Sequence, residues 1–152
     1  MNNESGRSLL EVIGVLAITG IMTISGIGVF NVIRQNQARS IASAELEQIA
    51  QNTKILLEMR GNYDGVSVDY LIKSGAIKSN RAPIGGDDWS VKSAFDGTSF
   101  SINLVDLTYG ECEYFSVSVP DWAKSVLING FEIGLTDNCF KSKTNQISFV
   151  VE

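Results

Sequence analysis

The feature that most constrains this 152-residue chain is an uncharged run near its start, with a single carboxylate at the entrance. Residues 12–33 carry no formal charge, and Glu11 directly precedes them. A helix of this length spans about 33 Å, which is enough to cross the hydrocarbon core of a bilayer. A carboxylate buried with such a segment costs about 2.5–3.5 kcal/mol on insertion scales. Glu11 is therefore either a residue at headgroup level or one that needs a partner.

A secretory signal peptide does not account for this run. The preceding residues, MNNES, contain no Lys or Arg, whereas a signal peptide begins with a basic region. The run is also longer than the 7–15 apolar residues of a signal peptide, and no small-residue cleavage site closes it. We expect the segment to be retained in the mature protein.

The helical pattern continues beyond the apolar run. No Pro or Gly occurs from Asn31 to Arg60, and apolar or small residues recur there at spacings of three and four. This inward-facing set is Ala42, Leu46, Ile49, Thr53 and Leu56. The pattern predicts one helix from about Leu9 to Met59, ended by Gly61. Its first half is apolar all round and its second half is amphipathic.

The rest of the chain is predicted to be mainly β-structure. Phe100, Ile102 and Leu104 alternate with more polar residues, which is typical of a strand with one buried face. Asn129-Gly130 stands between two apolar stretches, which predicts a two-residue hairpin turn. Residues 147–151 form a closing strand. The fold class is therefore α+β, with a long N-terminal helix packed on a C-terminal antiparallel sheet.

Two shorter segments have less regular patterns. Ser67 is placed to cap a short helix that ends near Gly75. Residues 114–119 alternate like a strand, and Pro120 follows directly. Asp87 and Asp88 follow Gly85-Gly86 without the regular ligand spacing of a calcium loop, so we expect solvated turn residues there.

Composition argues against several functions. The chain has no His, and its net charge of −5 comes without a basic patch. Histidine-dependent catalysis, most zinc sites and direct nucleic-acid binding by the monomer are therefore not expected. No nucleophile elbow, nucleotide-binding loop or pair of catalytic carboxylates stands out. We expect no enzyme activity, no metal and no cofactor.

The stretch GRSLLEVIGVLAITGIMTISGIGVFN resembles the N-terminus of type IV prepilins and of the related type II secretion pseudopilins. In that family a leader ending in Gly is removed by a prepilin peptidase, the new N-terminus is methylated, and the fifth mature residue is Glu. The resemblance implies cleavage between Gly6 and Arg7, methylation of Arg7, and Glu11 as the fifth residue.

The same resemblance implies how subunits assemble. Glu11 of one subunit would neutralise the N-terminal ammonium of a neighbour, and opposite charges about 4 Å apart attract by about 4 kcal/mol at an effective dielectric of 20. Small residues let helices approach closely in lipid, and glycines also permit local bending. Those residues here are Gly14, Gly20, Gly26 and Gly28.

Cys112 and Cys139 lie in the last third of the chain. From the residues alone they are either buried thiols or, if the domain lies outside the cytoplasm, a disulfide worth about 3–4 kcal/mol. A C-terminal disulfide loop is what pilins of this family carry. The resemblance also suggests a short helix after the first Cys, as the alternative to a strand at 114–119. The connector GNYDGVSVDYLIKSGAIKSN also resembles that of type IVb pilins.

These observations predict four regions: a leader at 1–6, a membrane and filament-core segment at 7–33, the amphipathic half-helix at 34–60, and a β-rich head at 61–152. The resemblance places the precursor in the bacterial inner membrane, with its N-terminus cytoplasmic and its head periplasmic. The mature chain then joins an extracellular pilus.

The predicted function is that of a structural pilin. Its partners are other copies of itself, a prepilin peptidase and the pilus or type II secretion assembly machinery. A type II secretion pseudopilin, a minor pilin, and a singly anchored envelope protein that binds a ligand without polymerising are the alternatives. Pseudopilins more often lack the disulfide and carry a calcium-binding loop. Partner contacts are expected in the loops at 79–97 and 134–146.

Overall fold

The computed structural model describes residues 4–134 and 138–152, with side chains except at 4–8 and 19–27. The described chain divides into two units, Met1–Ala38 and Arg39–Glu152. The elements in chain order are α1 (Glu4–Glu58), α2 (Val68–Lys73), β1 (Ser90–Ser93), β2 (Phe100–Leu107), α3 (Tyr109–Ser116), β3 (Ser125–Ile128), β4 (Phe131–Glu132) and β5 (Asn145–Val151).

The part of α1 that belongs to the second unit buries one stripe of side chains. Ala42, Leu46 and Leu57 are fully buried, and Ile49 and Ala50 nearly so. These residues share a single core cluster with the strands, as their helical spacing predicts.

Two details of this stripe matter at its C-terminal end. Thr53 is also fully buried, and its hydroxyl donates to the Ile49 carbonyl at 2.7 Å, which satisfies the polar group inside the helix. The sequence pattern put Leu56 in the buried stripe, but Leu56 is half-buried and Leu57 takes the core position. Gly61, with φ +78°, supplies the left-handed turn that follows the helix.

Both short helices begin at well-formed caps. The Ser67 hydroxyl accepts from the Tyr70 N–H at 3.2 Å, as predicted for α2. At α3, Thr108 and Glu111 form a reciprocal capping box, in which each side chain accepts from the other residue's backbone N–H. This cap selects the helical interpretation for residues 114–116, and the strand-like alternation there is overridden.

The sheet has five antiparallel strands in the order β1-β2-β5-β3-β4. The alternation predicted in β2 is confirmed, because Phe100, Ile102 and Leu104 are buried. The hairpin at Asn129-Gly130 is also confirmed, since both residues have positive φ and Ile128 pairs with Phe131 across the turn. The last strand, β5, lies at the centre of the sheet.

The regular pairing of β2 with β5 is interrupted by a bulge. The register shifts between Leu104 and Leu107, and Asp106 within this interval has φ 55°. The turn at Gly85-Gly86 packs against the bulge, with the Gly86 N–H donating to the Val105 carbonyl at 2.8 Å. The sequence pattern contained no signal for this bulge.

Candidate functional site

The first unit carries an exposed apolar surface. We call residues 9–33 of α1 the apolar segment. Its described large apolar side chains are between 49% and 73% exposed in the single chain. They are Leu9, Leu10, Val12, Ile13, Val15, Leu16, Ile18, Val29, Phe30, Val32 and Ile33. Water-soluble monomers rarely present a continuous apolar surface of this kind.

The apolar segment has no polar face among its described large side chains. Seven large apolar residues between 9 and 18, at about 100° per residue, are spread around the helix with no gap wider than about 80°. A helix that is apolar all round is ordinarily covered by other protein or by lipid. In the part of the chain with described side chains, no helix is both long enough and apolar enough to span a membrane. The membrane span at 7–33 stays a prediction.

Glu11 is the one formal charge between residues 8 and 33, and its side chain is exposed. Gly14 and Gly28 open the helix surface nearby, because a Cβ built on either would meet no heavy atom within 4 Å. Among the described residues, no side chain fills this space. Gly6, Arg7, Gly20 and Gly26 lie outside the residues whose side chains are described.

The predicted disulfide is confirmed in the second unit. Cys112 and Cys139 are bonded, with their Cα atoms 5.9 Å apart. Cys112 lies on α3 and is fully buried, whereas Cys139 is half-buried in the segment before β5. The bond therefore ties an irregular segment to a helix that belongs to the core.

The same segment is held by a buried amide that the sequence analysis did not single out. Asn145, at the start of β5, is fully buried. Its Oδ1 accepts from the Phe140 N–H at 2.7 Å. Its Nδ2 lies 2.9–3.1 Å from the carbonyl oxygens of Phe140, Ser142 and Leu107. One side chain thus joins the Cys139 segment to the end of β2.

Asn129, in the β3–β4 turn, extends this network. Its Nδ2 donates to the Asn138 carbonyl at 2.6 Å and to the Asn145 Oδ1 at 3.1 Å. Its backbone N–H donates to the Gln146 carbonyl, and its Oδ1 accepts from the Gln146 N–H. The segment between Cys139 and β5 is therefore anchored twice, covalently and by hydrogen bonds. The sequence before β5 carries no signal that distinguishes Asn145 from a surface residue.

The loops predicted for partner contacts present aromatic side chains. Phe95, in the β1–β2 turn within 79–97, is fully exposed, and Phe140 within 134–146 is 56% exposed. Among the described residues, no three His, Cys, Asp or Glu side chains group as metal ligands, and this includes the turn of Asp87 and Asp88. Each of the two loops therefore presents one exposed aromatic side chain, and their role in partner contacts stays a prediction.

No protein-family model matches the chain, and no curated protein is significantly similar to it.

Proposed function

We propose that the chain is a structural pilin of a type IV pilus-like surface filament. A prepilin peptidase removes the leader after Gly6, and the mature chain starts at Arg7, where it is methylated. The assembly machinery then draws it from the inner membrane into the fibre. The apolar segment forms the filament core and the second unit forms the outer wall.

The observation that carries this proposal is the exposed apolar segment with its single carboxylate. An exposed surface that is apolar around the whole helix gains free energy both from lipid before assembly and from other copies of the same helix afterwards. Transfer from one environment to the other needs no refolding of the helix. A helix with these properties is suited to a subunit that is stored in a membrane and then polymerised.

Glu11 supplies the specificity that an apolar helix lacks. Its carboxylate costs about 2.5–3.5 kcal/mol within lipid, and a neighbour's N-terminal ammonium about 4 Å away returns about 4 kcal/mol at an effective dielectric of 20. The two magnitudes are similar, so the pair favours the assembled state and sets one axial register between subunits. Without such a charge pair, a purely apolar helix could pack against its neighbour in several axial registers.

The disulfide agrees with a head outside the cytoplasm, because disulfides persist in oxidising compartments. A head exposed on a fibre must also resist proteolysis without a chaperone. The double anchoring of the Cys139 segment serves that requirement, since local opening there must break both a covalent bond and the Asn145 hydrogen bonds.

Replacing Glu11 with Ala tests the proposal. Membrane insertion should remain intact, whereas the amount of sheared surface fibre should fall and the subunit should accumulate in the membrane fraction. Glu47→Ala is the matched control, because Glu47 is an exposed carboxylate on the second-unit part of the same helix. Normal fibre yield from the Glu11 variant would contradict the charge-pair register.

The same experiment separates a pilin from a singly anchored envelope protein. An anchored protein stays in the membrane fraction when cells are sheared, in the wild type as in the variants. A pilin leaves the cell as polymer.

A further inference from the structure

The second unit carries a projecting aromatic side chain at one end. Phe95 is fully exposed at the β1–β2 turn. The turn is held in one shape by hydrogen bonds from Ala94 N–H to the Ser99 carbonyl at 2.8 Å and from Gly97 N–H to the Ala94 carbonyl at 3.0 Å. An aromatic side chain on a rigid turn loses little conformational entropy when it is buried by a partner, and such side chains dominate binding energies.

Asp96 adds a negative charge beside this ring. Its carboxylate accepts from the Thr98 N–H at 3.1 Å, and this bond, with the Thr98 hydroxyl, holds the pKa of Asp96 below its usual range. The tip of the turn is therefore an aromatic ring next to a carboxylate that stays ionised at neutral pH.

A groove with matching chemistry lies between α1 and α3. Six residues line it: Ser43, Tyr114, Phe115, Val117, Ser118 and Pro120. Phe115 is buried and forms the floor, whereas Val117 on the rim is 82% exposed. The groove is open to solvent and has both polar and apolar lining, so an inserted ring would bury apolar surface against Phe115 and Val117.

A cation lies one helical turn from Ser43, outside the six residues that line the groove. Arg39 lies one helical turn before Ser43 on α1, and its guanidinium approaches α3 so closely that a Cβ on Gly110 would lie 2.5 Å from Nη2. Arg39 is half-buried, and no carboxylate of the described residues forms an ion pair with it. A half-buried guanidinium without an anionic partner favours an incoming carboxylate.

The tip and the groove lie at opposite ends of the second unit. The Gly97 carbonyl accepts from the Tyr63 N–H at 2.9 Å, which places the tip beyond the C-terminal end of α1. The groove includes Ser43. Ser43 precedes Glu58, the last residue of α1, by about 22 Å along the helix axis at 1.5 Å per residue. The tip of one copy therefore does not reach the groove of the same copy.

We infer that the Phe95-Asp96 tip of one copy docks into the α1–α3 groove of the next, with the ring over Phe115 and the carboxylate against Arg39. The contact joins two different surfaces, so it is heterologous and propagates as an open chain instead of closing a dimer. It rests on the proposed function and adds to it a second contact, made by the heads, that fixes the axial spacing of subunits.

Cysteine cross-linking in the full-length chain tests the contact. Fibres of the double variant Phe95→Cys with Val117→Cys should give a ladder of covalent multimers under mild oxidation, which collapses to monomer on reduction. The matched control is Met59→Cys with Val117→Cys, because Met59 is 92% exposed but outside the tip. Fibres without a ladder, or an equal ladder in the control, would overturn the contact and leave the pilin assignment standing.

A charge exchange supplies a second, independent readout. Asp96→Arg and Arg39→Asp should each lower fibre yield about tenfold, since they place like charges opposite one another, and the double variant should restore it. Failure of the double variant to recover would also overturn the contact. If the wild-type chain is absent from every sheared filament, the proposed function itself fails and the contact fails with it.

Discussion

The side-chain amide of Asn129 donates to the Oδ1 of Asn145 at 3.1 Å, joining the β3–β4 turn to the start of the central strand. Asn129 has a positive φ, so its backbone makes the hairpin while its side chain holds a segment more distant in sequence. The two amides place the Cys139 segment against the sheet independently of the disulfide. The head's most irregular region is thus among its most constrained.

Asn145→Ala should destabilise the head by about 2–4 kcal/mol, because it leaves buried backbone groups without partners. The free energy of unfolding in urea, followed by tryptophan fluorescence, measures the loss. Asn103→Ala is the control, since Asn103 is only part-buried and most of its hydrogen bonds are 3.4–3.5 Å long. A loss no larger than that of the control would show that the network adds little.

Replacing both cysteines with Ala should cost about 3–4 kcal/mol in the chain-entropy model, since the bond closes a loop between residues 27 positions apart. Hydrogen exchange should nevertheless show the Phe140 N–H still protected, because Asn145 holds it. Rapid exchange of that amide in the double variant would mean that the hydrogen bonds depend on the disulfide.

Gly85→Ala should destabilise by about 1–3 kcal/mol more than Gly61→Ala. Both glycines have positive φ, at +85° and +78°, so the backbone strain of adding a Cβ is similar. They differ in surroundings, because a Cβ on Gly85 would overlap the Val105 carbonyl oxygen whereas one on Gly61 meets nothing within 4 Å. Equal losses of stability in thermal unfolding would indicate that the backbone at the bulge moves to accommodate the Cβ without a cost in free energy.

Stability should fall as the pH rises above about 10, in part through Tyr63. Burial, and then the charge of Glu58, raise the pKa of Tyr63 above its ordinary value of 10.0. The folded state therefore keeps this proton at a pH where the unfolded chain loses it, and stability is full below that range and lost above it. Tyr63→Phe should flatten this alkaline decline in urea unfolding from pH 8 to 11. If the alkaline loss of stability is the same in the Tyr63→Phe variant, it arises from titratable groups other than Tyr63.

Local patterns in the sequence predicted several elements correctly. The Asn129-Gly130 turn and the Ser67 cap were predictable because each depends on backbone chemistry within four residues. The burial of Phe100, Ile102 and Leu104 was predictable because alternate side chains of a strand point to the same face of the sheet. These features need no knowledge of distant contacts.

The features that the sequence did not predict depend on distant partners. The choice of Leu57 over Leu56 is made by the packed core, since both fit a helical period. The bulge at Asp106 packs against the Gly85-Gly86 turn, which lies about 20 residues earlier in the chain. Asn145 reads as a surface residue until the carbonyls of Leu107 and Phe140 surround it.

The most direct test of the account is intact-mass spectrometry of filaments sheared from cells that express the chain. We expect a subunit that starts at Arg7, carries an N-terminal methyl group, and is two mass units lighter than the free dithiol because Cys112 and Cys139 are joined. A filament subunit that still carries Met1 would contradict cleavage after Gly6. A chain found only in the membrane fraction would contradict the filament itself.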